Sequence, residues 1–341
     1  MKILIIRFSS IGDIVLTTPI IRCSKKQYPH AEIHFLTKEK FEPILKANPY
    51  ISKIHTIKDD VQPIMQSLIH EQFDYIIDLH HNLRTLYVKS ILKQAFNSKV
   101  QVYSFNKLNF KKWLMTTFKI NILPPISIVD RMFECVKEIK IQNDHQGLDY
   151  FISKEDEINK GDLPTSHVCG FIACSIGGQY FTKKMPLEKW KEICQKIEHP
   201  IVLMGGKEDQ AFGEELKKID PIKIYNACGK YSINESADII RKAKFVITHD
   251  TGLMHIAAAF QRNIISIWGN TVPKFGMFPY YGNNDLLSKV TKKSIMIEVK
   301  HVSCRPCSKI GYHECPKKHF RCMNLISIDE ILQNVNQQIA S

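Results

Sequence analysis

No run in this 341-residue chain comes near the ~20 consecutive apolar residues needed to cross a bilayer. The opening stretch, Lys2 to Arg7, is too short for the apolar region of a signal peptide, so the sequence reads as cytoplasmic. Low-complexity tracts and short repeats are also missing, which excludes solenoids. With 44% hydrophobic and 24% charged residues, disorder is excluded as well. Acidic residues are in deficit: 34 against 47 Lys and Arg leave a formal charge of +13, and the expected partner is anionic. Acidic and basic residues mix in every segment and no nucleic-acid-binding module is recognisable, so no nucleic acid is expected among the partners. A membrane surface or a phosphorylated substrate remains.

What is present is an alternation of apolar strand-like runs with segments of helix length. Lys2–Arg7, Glu32–Leu36, Lys53–Ile57, Tyr75–Leu79 and Lys99–Tyr103 recur through the first half, and such alternation means parallel βαβ units. The polar stretch Ser153–Ser166, with Gly161 and Pro164, reads as an interdomain linker. The pattern then restarts with Val168–Cys174, Ile201–Met204, Ile224–Asn226, Phe245–Thr248 and Ile264–Trp268. The expected fold is α/β: two doubly wound, Rossmann-like domains facing across a cleft, at 1–155 and 167–326, followed by a helix at 327–341. Ser327 and Glu330 form a capping box ahead of the apolar stripe Ile331, Leu332, Val335 and Ile339.

Chemistry is expected where these strands end. The first strand breaks at Ser9-Ser10-Ile11-Gly12-Asp13, a tight turn with one carboxylate at the start of a helix. Taken alone, Asp13 reads as a helix cap. Thr248-His249-Asp250-Thr251-Gly252-Leu253-Met254-His255 repeats the strand, turn and helix arrangement, and its backbone N–H groups suit a phosphate. Ser175-Ile176-Gly177-Gly178, followed by Thr182, Lys183 and Lys184, suits a diphosphate whose charge must be stabilised on departure. In Met204-Gly205-Gly206-Lys207-Glu208, Glu208 suits a ribose diol. The lysines and aromatics of Tyr103–Lys119 read either as a helix on an anionic membrane or acceptor, or as one packed on its own domain.

Arg7 to Pro19 resembles the opening signature of glycosyltransferase family 9, the lipopolysaccharide core heptosyltransferases. Four further blocks agree in order and spacing: Asp78 to Thr85, Thr182 to Pro186, Thr248 to His255, and Trp268 to Pro273. The resemblance implies a GT-B arrangement, an ADP-heptose co-substrate held mainly by the second domain, and inversion at the sugar carbon with no cofactor required. By position it implies Asp13 as the general base and Lys183 as the neutraliser of the donor phosphates. It further implies Thr182, Glu208, Asp250, Thr251, Gly252, Leu253 and His255 as donor-binding residues. Ser10, Gly12 and Arg84 would face the acceptor, a phosphorylated or acidic lipid-linked saccharide ending in Kdo or heptose, with peripheral contact to an anionic membrane. Met185 stands where the family commonly has tryptophan, and Asn270 where it commonly has proline, so donor or acceptor preference is open to change. The alternatives are a family member with another sugar donor, and a nucleotide-sugar epimerase of the same fold.

His80, His81, His249 and His255 lack ligand spacing and read as hydrogen-bonding residues. Six of the ten cysteines are scattered among predicted elements and read as reduced core residues. The other four, Cys304, Cys307, Cys315 and Cys322, define a Cys-rich segment at 304–322. Their spacing admits either a structural zinc or a reduced, packed subdomain.

Overall fold

A computed structural model describes residues 1–282 and 293–340; residue 341, at the tip of the expected terminal helix, lies outside them. The chain divides into two compact units. The first holds Met1–Lys107, Ile126–Phe151 and a short return beginning at Tyr280. The second holds Leu108–Pro125, Ile152–Pro279 and the rest of the chain.

The first unit is built on five parallel strands: β1 (Lys2–Ile6), β2 (Glu32–Lys38), β3 (Lys53–Ile57), β4 (Tyr75–Asp78) and β5 (Gln101–Ser104). Their order is β3-β2-β1-β4-β5, so the chain starts in the centre, builds outward to one edge, then crosses to the other side of β1. Ile3, Leu4, Ile5 and Ile6 are all fully buried, as a parallel strand covered by helices on both faces requires. Leu4, Ile6, Leu36, Leu68, Ile76, Val88 and Leu92 form the core on one face of this sheet.

The second unit repeats the plan with β6 (Ile172–Ser175), β7 (Ile201–Met204), β8 (Ile224–Asn226), β9 (Phe245–His249), β10 (Asn263–Trp268) and β11 (Ser294–Glu298), in the order β11-β10-β9-β6-β7-β8. The edge strand β11 has no counterpart in the sequence reading. Its pattern, Ser-Ile-Met-Ile-Glu, is short and closes polar at both ends, and only pairing with β10 reveals it. The helix Ile328–Ala340 lays Ile331 and Val335 into the core of this unit with Trp190, Ile193 and Ile265.

Three local expectations change. The stretch 153–166 is no free linker: it forms short 3-10 turns within the second unit, where the buried Ile158 donates its N–H to Asp238 at 2.7 Å. Strand β6 begins at Ile172, because Val168 is exposed beside a 3-10 turn and Gly170 takes a positive φ that breaks extension. The basic aromatic segment is helical only over Asn109–Thr117, and Leu108–Pro125 groups with the second unit, through Met115 and Leu123 packed against Val272 and Phe275.

Candidate functional site

In each sheet the strand order reverses beside the first strand, between β1 and β4 in one unit and between β6 and β9 in the other. Loops leaving the carboxyl ends on either side of such a switch point diverge and open a crevice for a ligand. Four of the five motif blocks follow strands that flank these points, and the fifth, Trp268 to Pro273, follows the neighbouring β10.

In the first unit, Arg7 follows β1 and Leu79 follows β4. Ser10 is the N-cap of the helix Ile11–Val15, and Asp13 closes a capping box as its third residue. One carboxylate oxygen of Asp13 accepts from the Arg7 guanidinium, and the other accepts from the Ser10 hydroxyl at 2.7 Å and its backbone N–H at 3.2 Å. Arg7 also donates to the Leu79 carbonyl and, at 2.9 Å, to that of Ser9. The side chain of Asp13 keeps 21% exposure, so the carboxylate held in this frame is open to solvent. Gly12 is buried in the same turn.

Beneath the turn after β4, the fully buried Asp78 accepts the N–H groups of His80 and His81 at 3.0 and 2.6 Å, and pairs with Lys89 at 2.7 Å. The His80 imidazole, half-buried beside Phe8, is pushed down to about 4 by burial and then by the nearby Arg7 charge, so it is neutral. Arg84 stands exposed at the second position of the helix Leu83–Ala95, which Asn82 caps by accepting from the Thr85 N–H at 3.0 Å.

In the second unit, the Lys183 ammonium pairs with the Asp250 carboxylate at 2.7 Å and donates to its backbone carbonyl at 3.1 Å. Thr271 donates to the same carboxylate at 2.8 Å. Asp250 and Thr251 precede the helix Gly252–Ala259, so Gly252 and Leu253 present its first N–H groups. The glycine turn after β6 lies alongside: a Cβ on Gly178 would stand 3.4 Å from the Thr251 methyl and from Lys184. Gly177 cannot carry a side chain, because its Cβ would meet the Asp209 carboxylate at 2.2 Å. Asp209 is buried, accepts the Gly206 N–H at 3.1 Å and pairs with Lys184 at 3.2 Å, which joins the glycine turns after β6 and β7. Glu208, next to it, is exposed.

Three expected residues are buried or bonded within the protein. Thr182 is buried, and its hydroxyl accepts from the Tyr312 N–H at 2.8 Å and donates to the Tyr312 carbonyl at 3.2 Å, which ties the Cys-rich segment to this end of the sheet. Lys184, read with Lys183 as a phosphate-facing pair, is turned onto Asp209. His255 is 2% exposed inside its helix. His249 is fully buried against Trp190, its Nε2 accepts the Met185 N–H at 3.0 Å, and burial pushes it down to about 4, in keeping with a hydrogen-bonding role. Met185 itself is a core residue, and Asn270 is buried with its backbone bonded to Thr182 and Cys307.

The sequence reading missed Arg7, Asp209 and Thr271 as partners of the site. All three stand in or beside the quoted motifs, but only the folded turns show what they hold. The four cysteines of 304–322 are unbridged; Cys304 Sγ lies 3.8 Å from His319 Nε2, and burial raises the thiols of Cys307 and Cys322. Among the described residues they do not draw together as a metal-ligating group; His34, His55 and Glu71 do. Among the described residues no helix is long and apolar enough to cross a membrane.

Comparison with known proteins bears on the whole chain. The profile of glycosyltransferase family 9 (heptosyltransferase) matches residues 61–310. Lipooligosaccharide heptosyltransferase 2 of Haemophilus influenzae is 22% identical over 302 residues, covering 81% of this chain and 85% of that protein. Lipopolysaccharide heptosyltransferase 1 of Campylobacter coli is 26% identical over 303 residues, covering 80% and 84%. Among solved structures, E. coli ADP-heptose lps heptosyltransferase II superposes with a TM-score of 0.72 at 19% identity, covering 100% of this chain and 99% of that one. That likeness matches the two Rossmann-like sheets described above. With the family profile spanning most of its length, the chain belongs to glycosyltransferase family 9, the heptosyltransferase family, and is a glycosyl-transferring enzyme.

Proposed function

We propose that this chain is an inverting glycosyltransferase that moves a heptose from ADP-heptose onto the inner core of lipopolysaccharide, at a Kdo or an earlier heptose. The observation that carries the reading is the convergence of four of the five motif blocks on the switch points of the two sheets. The relatives named as heptosyltransferases support the choice of sugar.

In this mechanism the acceptor hydroxyl gives its proton to the Asp13 carboxylate as its oxygen bonds to the anomeric carbon of the heptose. The bond from that carbon to the phosphate oxygen breaks, and ADP departs with the electron pair. A single displacement inverts the centre. Arg7 and Ser10 hold the base in place. Lys183 stabilises the departing diphosphate, with Asp250 and Thr271 fixing its ammonium until the donor binds. The first N–H groups of the helix at Gly252 and Leu253, with Thr251, take the phosphates. Glu208 accepts from the ribose diol, and Thr182 and His255 complete the donor-binding residues.

Ser10, Gly12 and the exposed Arg84 face the acidic or phosphorylated acceptor. The enzyme works at the cytoplasmic face of the membrane. There the helix Asn109–Thr117 offers exposed Phe110 and Trp113 with Lys111 and Lys112 to anionic lipid. Cys304, Cys307, Cys315 and Cys322 belong to a reduced, packed subdomain in this proposal, since among the described residues they do not draw together as a metal-ligating group. Catalysis itself needs no cofactor.

Calorimetric titration of the purified chain with ADP, UDP and GDP tests the donor without an acceptor. Binding of ADP at least tenfold tighter than UDP or GDP is expected. Preference for UDP or GDP overturns the ADP-heptose reading, and binding of none overturns the assignment of the second unit as a donor site.

A further inference from the structure

A second cluster of chemically able side chains lies at the other end of the first sheet. His34 on β2 and His55 on β3 occupy the same face, because His34 is in register with Lys53 and Leu36 with His55. Both imidazoles are more than nine-tenths buried. His34 Nδ1 and His55 Nε2 face each other at 3.0 Å, and Glu71, the last residue of the helix Met65–Glu71, brings a carboxylate oxygen to 4.0 Å from His34 Nδ1. One ligand atom from each lies within 4.8 Å of the others.

From this geometry we infer that His34, His55 and Glu71 form a binding site for a divalent transition-metal ion of the zinc class. Two imidazoles and one carboxylate are an accepted donor set for such ions, which take them at about 2.0–2.2 Å. A central ion at that reach needs only small movements of groups already this close. The two facing nitrogens share one hydrogen bond, so one of them carries a proton that moves to the other nitrogen of its ring when an ion takes both. The other nitrogen of His34 faces Glu32 at 3.6 Å, the outer carboxylate that commonly orients a ligating histidine. Phe73 walls the site edge-on to both rings.

Two lysines compete with the ion. Lys53 holds one Glu71 oxygen at 2.5 Å and Lys2 the other at 3.0 Å. Lys2 also stands 3.7 Å from Glu32, so it has a second carboxylate to move to when an ion takes its place on Glu71. The site is therefore a weak one whose affinity these lysines set. It would tie β2, β3 and the end of a helix together, at the amino ends of the strands and away from Asp13. The inference is independent of the proposed transfer reaction.

Titration of the full chain with Co2+, after removal of bound metal by a chelator, tests it. Zn2+ competition shows whether the two ions share the site. Cys304→Ser/Cys307→Ser serves as the background, since it removes the CxxC pair of the Cys-rich segment from competition for the ion. A visible d–d absorption that saturates at one ion per chain and is abolished by Zn2+ is expected there. His55→Gln and Glu71→Gln should each weaken Co2+ binding about tenfold or more, whereas Lys53→Met should tighten it. Glu71 lies partly exposed at a helix end, so Glu71→Gln decides the matter even where His55→Gln fails to fold. Co2+ binding unchanged by Glu71→Gln, or no saturable absorption in the Cys background, overturns the site.

Discussion

A carboxylate that accepts a proton in one step must be held still and left reachable, and Asp13 meets both conditions through Arg7 and Ser10 with a fifth of its side chain exposed. Replacing it by asparagine keeps the shape and the capping position but removes the base. Asp13→Asn is expected to keep wild-type circular dichroism and ADP affinity while transfer falls by roughly 10²–10⁴. Turnover within a few-fold of wild type would remove Asp13 from the mechanism. Its place was legible in the sequence, because the apolar run that breaks at Ser9-Ser10 and resumes as Ile14-Val15 at a helix start leaves a carboxylate beyond a strand end, whereas its role as a base was implied only by the family resemblance. Its partner Arg7 was not legible, because the link depends on a chain reversal that brings a residue six places earlier back onto the turn. Thr182 shows a second gap: its place in the motif suggested a ligand role, and only the fold reveals that its hydroxyl also bonds Tyr312, 130 positions away.

At the scale of elements, the interior strands were plain from their runs of isoleucine and valine, since parallel strands covered on both faces need apolar residues throughout. The edge strand β11 and the start of β6 were not, because pairing and a glycine turn decide them. Nor could periodicity show that Asp78, at the end of β4, and Lys89, inside the next helix, form an ion pair under the His80-His81 turn. That pair holds the turn whose Leu79 carbonyl receives Arg7, so its effect reaches Asp13. Lys89→Met leaves a fully buried carboxylate without its cation. It should cost about 3 kcal/mol, read as a shift in the urea midpoint. In the chains that fold, kcat should fall more than KM rises, because the base is displaced and not the binding surface. A variant as stable and as active as wild type would show that the pair positions nothing.

For the molecule as a whole, the two units respond to acid through the same kind of group, a histidine kept neutral by burial. His80 in the first unit and His249 in the second are each pushed down to about 4. In the unfolded chain both sit near 6.5. Above that value neither state binds the proton and stability is unaffected. Between pH 6.5 and about 4 the unfolded chain takes up protons that the native state refuses, so stability falls as pH falls, by a few kcal/mol in all. Paired carboxylates add their own loss only lower, since Glu71 is held near 2 by Lys53 and Lys2 and would otherwise titrate near 4.5. The excess of 47 basic over 34 acidic residues acts in the same direction, because each new proton adds to a charge that is already positive. Melting temperatures followed by circular dichroism at constant ionic strength should therefore hold steady from pH 8 to 7 and decline steadily from 6.5 to 5. His249→Gln, whose amide can still accept from the Met185 N–H, should melt lower at pH 8 and show a shallower decline. A wild-type profile flat down to pH 5 would mean that these imidazoles are hydrated and protonated in the folded protein, and that burial at the two strand ends is looser than the packing around Phe8 and Trp190 indicates.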